Sequence, residues 1–296
     1  MPYAGELSAL ITAIMWTGSA LAFAAATTRV GSVYVNIVRL LAAVILLFVT
    51  IAVWNIRDDI SIIQTGYLVV SGLVGFVFGD TFLFKSFEYN SARIGMLIMS
   101  VAPAMAALLA FIFLGETLTF TGMVGMAITF TGIMLVILER KEASTHHIPV
   151  SMAGVFYAFL GALGQAGGLV LAKFAFVIGP MNGFIATFIR AFAATLVLIP
   201  LNYFTRRFKR PATVFSKNPK ALAFTLLGAF LGPYLGVTFS LIAISMTNVA
   251  IAATIMSIVP ILMLPTVWIL FREQLSWRAV IGACVAVAGV GILFLR

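Results

Sequence analysis

The stretch SVAPAMAALLAFIFLGETLT, Ser100 to Thr119, returns as SIVPILMLPTVWILFREQLS, Ser257 to Ser276. Extended upstream at the same offset of 157, Glu88 through Thr119 aligns without gaps on Ser245 through Ser276, with eight identities in 32 positions. Ile98-Met99-Ser100 matches Ile255-Met256-Ser257, Pro103 matches Pro260, and Glu116 matches Glu273. The offset also pairs Gly75 with Gly232, Gly79 with Gly236, Gly125 with Gly282 and Gly132 with Gly289, while small shifts pair Gly18 with Gly167 and Arg39 with Arg190. Self-similarity on this scale marks a chain made of two copies of one unit.

The unit is apolar almost throughout. A hydrocarbon layer of ~30 Å takes ~20 helical residues to cross. Apolar runs between polar punctuation give spans near 5–26, 32–54, 64–87, 91–114 and 118–138, then 150–177, 181–204, 219–244, 247–271 and 276–295. These predict an all-α integral membrane protein of ten transmembrane helices. They form two five-helix repeats, residues 1–142 and 150–296, joined by a polar linker at 143–149. Five is odd, so the second copy enters the membrane from the opposite side and the repeats are inverted. Inverted repeats supply two mirror-related packings of one scaffold, the architecture of secondary transporters.

Composition agrees. The 296 residues are 62% hydrophobic and 9% charged with a mean hydropathy of +1.16, which excludes a water-soluble globular fold. The net charge of +9 does not indicate a nucleic-acid partner, because Arg206, Arg207, Lys209, Arg210, Lys217 and Lys220 crowd one connector, as expected of a loop facing membrane lipid. Cys284 is the sole cysteine, so no intrachain disulfide or cysteine metal cage forms. His146 and His147 lack further ligands, Asp58-Asp59 lacks calcium-loop spacing, and no nucleotide or hydrolase motif is present, so neither a metal nor a cofactor is expected. The amino-terminal residues lack the basic region of a cleaved signal peptide, so the first apolar run is expected to remain as a helix.

Charge inside hydrocarbon is costly, which singles out Arg39, Asp80 and Arg190. Arg39 and Asp80 lie ~10 Å deep from one face and are placed to pair. Arg190 mirrors Arg39 from the other face, but the repeat partner of Asp80 is Val237. Arg190 therefore either snorkels to the interface or meets an anionic group. Asp80 is a candidate site for a coupling proton, and pairing with Arg39 works against that role. Pro103 and Pro260 are expected to kink spans four and nine, freeing the carbonyls of Met99 and Met256. Each kink is either packed against a neighbour or turned to a cavity, with Ser100 and Ser257 beside it. Trp16, Ser19, Gln165, Tyr234 and Thr238 are further candidates for substrate binding or gating, against the plain alternative of helix packing. The glycine stripes at 72, 75 and 79 and at 228, 232 and 236 read as close helix contacts. Glu116 and Glu273, near the helix-capping positions Thr119 and Ser276, read as capping residues.

Ten short spans in a 5+5 arrangement resemble the drug/metabolite transporter superfamily, and its EamA group in particular. The resemblance is carried by Ser100-Val101-Ala102-Pro103 leading to Leu114-Gly115-Glu116-Thr117-Leu118-Thr119, and by Ser257-Ile258-Val259-Pro260 leading to Phe271-Arg272-Glu273-Gln274-Leu275-Ser276. It covers nearly the whole chain, with Arg272 where the second motif normally has glycine. It implies transport of a small metabolite through a central cavity by alternating access.

The expectation is a multi-pass carrier of the plasma (inner) membrane, not an enzyme, taking a small polar or amphipathic metabolite such as an amino acid or related compound. A passive channel and an intramembrane enzyme acting on lipid-linked substrates are the alternatives. Connectors and helix ends after odd-numbered spans carry thirteen Lys and Arg residues, against Arg57, Lys173 and Arg296 on the other face. That bias places both termini outside, whereas the family resemblance implies termini inside.

Overall fold

The computed structural model describes residues 3–90, 92–139, 151–259, 261–263 and 277–294. Among these, α1 (Ala4–Val30), α2 (Ser32–Val53), α3 (Ile62–Tyr89), α7 (Met152–Ile178), α8 (Gly183–Phe204) and α10 (Pro219–Met246) are long and apolar enough to cross a membrane. Shorter helices complete the bundle: α4 (Ala92–Met99), α5 (Ala102–Leu114), α6 (Phe120–Glu139), the connector helix α9 (Pro211–Lys217), α11 (Val249–Met256) and α12 (Trp277–Phe294). Pro260, Arg272, Glu273, Ser276, His146 and His147 lie outside the described residues.

The bundle is built from small residues inside and large ones outside. Ala9, Ala13, Ala110, Ala162, Ala172 and Ala194 are fully buried, whereas Phe48 and Phe111 are each 60% exposed. Lipid removes the drive to bury large apolar side chains, so close backbone approach between small residues holds such helices together. Many buried hydroxyls are satisfied within their own helices: Thr17 donates to the Ala13 carbonyl, Thr195 to Ala191 and Thr254 to Ala250, at 2.7–2.8 Å.

Repeat-related glycines make close contacts. A Cβ on Gly132 would lie 2.3 Å from the Ala286 nitrogen, and one on Gly289, its repeat partner, 2.5 Å from the Thr129 nitrogen, so α6 and α12 pack through equivalent surfaces. A Cβ on Gly164 of α7 would come within 2.4 Å of the Gly79 Cα of α3. The corresponding contact of α10 with α1 is looser, because Gly236 faces the Trp16 indole.

Two departures from regular helix are also duplicated. α3 widens to π-helical turns over Leu73–Gly79, and α10 does so over Phe230–Gly236, the same positions at the offset of 157. Pro233 removes an N–H in the second, but its partner Phe76 does not, so the proline does not account for both. Span four is two helices rather than one kinked helix. α4 ends at Met99, Val101 donates to the Ile98 carbonyl at 3.0 Å, and Pro103 occupies the first turn of α5, where its missing N–H costs no bond. The chain turns again at Ser257 and Ile258, the repeat positions of Ser100 and Val101. α5 stops at Gly115, whose φ of +65° favours glycine.

Candidate functional site

The breaks at Ser100 and Ser257 line one central cavity. Its walls come in repeat-related pairs: Met96 and Ala253, Met99 and Met256, Ser100 and Ser257, Ala102 and Val259. Gly18 aligns with Gly167, so Trp16 and Gln165, which also line it, form a fifth pair. Residues at equivalent positions of the two EamA halves thus line the same cavity. A neighbouring hollow shares Trp16, Met96, Met99 and Gln165, and adds Ser19, Arg39, Phe76, Asp80, Leu83 and Phe87. Together they form one chamber that extends from the helix breaks toward the end of α3 at Tyr89.

The chamber is mostly apolar, with a few polar groups held at fixed points. Asp80 pairs with Arg39 in the interior. Arg39 also donates through Nε and Nη2 to Asn36 Oδ1 at 3.1 and 3.0 Å, and its guanidinium lies over the rings of Phe84 and Phe23, at 4.7 and 5.2 Å. Asn36 in turn donates to Thr81 Oγ1 at 3.3 Å. The second repeat reproduces this last bond, with Thr238 donating to Thr187 Oγ1 at 3.1 Å. Thr238 is thus a tie between α8 and α10, outside the cavity wall.

Tyr234 also lies away from the chamber. Its hydroxyl bonds Thr50 Oγ1 at 2.8 Å and its ring packs against Phe184 and Phe230. Ser19 and Ser257 hydrogen-bond the Trp16 and Thr254 carbonyls, at 3.1 and 2.7 Å. Neither the Trp16 indole N–H nor the Gln165 amide has a hydrogen-bond partner among the described residues, leaving both available at the cavity wall. Arg190 does not snorkel. It is 3% exposed and lies over the ring of Phe76, a chamber-lining residue, at 5.2 Å.

Contacts between the connectors fall into two groups. At one end Glu6 accepts from Thr247 Oγ1 at 3.2 Å, and Glu116 accepts from the Val249 N–H at 2.8 Å and approaches Lys173 Nζ at 3.8 Å. Lys173 also donates to the Thr247 carbonyl at 3.1 Å, Asn248 to the Thr117 carbonyl at 3.3 Å, and Asp58 accepts from the Asn182 N–H. Glu116 therefore caps a helix of the other repeat, while Thr119 caps its own, accepting from the Gly122 N–H at 3.1 Å. At the other end Glu88 accepts from Ser32, Tyr34 donates to the Lys209 carbonyl at 2.9 Å, and Asn90 accepts from the Ser151 N–H at 2.9 Å.

The model of the EamA-like transporter family matches residues 3–138 and again 152–295. The chain belongs to that family: it is a multi-pass membrane transporter of the drug/metabolite transporter superfamily and not an enzyme. An uncharacterized transporter of Archaeoglobus fulgidus is 23% identical over 290 residues, 98% of this chain and 97% of its own. The uncharacterized transporter YxxF of Bacillus subtilis is 28% identical over 151 residues, 51% of this chain and 45% of its own, so the match spans just under half of that relative. A crystal structure with 17% sequence identity superposes over 99% of this chain and 96% of its own at a TM-score of 0.74, a likeness of fold.

Proposed function

We propose that the protein is a secondary carrier of the plasma (inner) membrane that moves a small amphipathic metabolite, amino acids and related compounds among the candidates, by alternating access. In this reading ten crossings form two inverted repeats, 1–142 and 150–296. The carrying observation is the cavity whose opposing walls are repeat-related residues, since a site on the axis of an inverted repeat is presented equally to both membrane faces.

The two groups of connector contacts support the ten crossings. Residues joined at one end all precede odd-numbered spans or follow even-numbered ones, and those joined at the other end do the reverse. The chamber extends toward the end that holds Glu88 and Asn90, while Glu6, Glu116, Lys173 and Thr247 tie the repeats together at the other. The conformation is then one half of the cycle, closed on the side of the amino terminus. Trp16, Gln165, Ser100 and Ser257 form the binding wall, Arg39 and Asp80 brace it, and the breaks at Ser100 and Ser257 give it freedom to move.

Counterflow in proteoliposomes tests the reading. Vesicles loaded singly with amino acids, organic acids, amines and sugars should show saturable uptake of one labelled solute, stimulated by the same solute inside. Trp16→Ala and Gln165→Ala should each raise its KM. Flux linear in concentration, with no stimulation from the far side, would identify a channel and overturn the carrier.

A further inference from the structure

Among the described residues Arg190 makes no ion pair of its own. Its Nε and Nη1, which carry three of the guanidinium's five N–H bonds, are buried with no hydrogen-bond partner among the described residues. Each buried donor left unpaired is costly, and more so on a charged group. Nearby, Asp80 is already engaged by Arg39, so the two arginines and one carboxylate leave one positive charge in the interior. The guanidinium occupies a slot cleared by glycine: a Cβ on Gly75 would sit 3.1 Å from Nη2, and Gly72 packs against the Arg190 backbone. Gly79, one turn further along α3, touches the Gln165 backbone at the cavity wall. The guanidinium lies over the ring of Phe76 at 5.2 Å, and Phe76 itself lines the chamber.

We propose that Arg190 is the binding group for the anionic end of the transported solute, reached when Phe76 turns aside, and that the solute is an organic carboxylate or phosphate monoester with an apolar body. The anion supplies the missing charge and the missing acceptors. Met96, Met99, Met256 and Leu169 supply an apolar bed for the remainder, and the free Gln165 amide and Trp16 N–H lie along the path. A cation–π contact holds the guanidinium in the empty state. The inference rests on the carrier reading, whose cavity it uses.

The test is binding to the purified full chain in nanodiscs, with matched probes: phenylacetate against phenylacetamide, indole-3-acetate against indole-3-acetamide, and phenyl phosphate against phenol. The anion of at least one pair should bind and its neutral partner should not, and Arg190→Gln should weaken that binding about tenfold or more. Phe76→Ala keeps Arg190 and removes its cover, so anions should bind severalfold tighter, an outcome a merely structural arginine would not give. No anion binding in the unaltered protein, as a buried water on Arg190 would produce, overturns the proposal. So does anion binding unchanged in both variants. Counterflow of a neutral amide that persists in Arg190→Gln would overturn the anion site and leave the carrier standing. Anion binding without any counterflow would keep the site and overturn the carrier.

Discussion

Asp80 joins two helices of the first repeat because its charge is paired where water is scarce. Replacing one member of a buried ion pair strands the other, at a typical cost of about 3–5 kcal/mol. Asp80→Asn should therefore lower the thermal stability of the detergent-solubilised protein markedly, and the double variant Arg39→Leu/Asp80→Leu should recover most of the loss. A single variant as stable as the unaltered chain would remove the bracing role. The pairing was legible in the sequence, because two opposite charges at the same depth in apolar runs have few other partners. The surroundings of Arg190 were not. Its cover comes from α3 of the other repeat, and among 26 phenylalanines nothing in the sequence distinguishes Phe76. Nor did the sequence reveal Gln64, whose amide donates to the Ala175 and Gly179 carbonyls at 3.1 and 3.0 Å, closing the end of α7. Tyr234 and Thr238 had polar helix neighbours to recommend them, but one face of a helix cannot be told from another when all faces are apolar.

Helices in this protein meet where glycine allows it, and the contacts differ enough to predict opposite effects from one substitution. Gly164→Ala drives a methyl to 2.4 Å from the Gly79 backbone and should cost about 1–3 kcal/mol, read as a fall in melting temperature. Gly66→Ala on α3 meets nothing within 4 Å and should be neutral or stabilising by up to ~1 kcal/mol, through helix propensity alone. Equal effects at the two sites would show that the glycines are not packing residues. The glycine stripes were visible as a spacing shared by both copies. The π-helical turns were not, because widening a helix by one residue per turn leaves its hydropathy unchanged. The break at Ser100 was expected as a kink at Pro103. A proline in the first turn of a new helix carries the same sequence signal as one inside a bent helix, and only the backbone separates them.

Across the whole molecule, the repeats should exchange roles during transport, and that fixes two expectations about sidedness. The connector holding Arg206 to Lys220 should face the cytoplasm, following its positive charge. In a Cys284→Ser background, Lys217→Cys should therefore react with a membrane-impermeant maleimide in inside-out vesicles and not in right-side-out ones, and the reverse pattern would place the termini inside. The most direct test of alternating access needs no substrate. Ser100→Cys, at the helix break in the chamber, is combined with Thr117→Cys and Asn248→Cys, whose parent residues bridge the repeats by a 3.3 Å hydrogen bond. With the bridge reduced, the cysteine at position 100 should react with the impermeant reagent from either face; with the disulfide formed, only from the face that carries Lys217. Labelling from both faces whatever the state of the bridge, or never from the Thr117 face, would contradict the account.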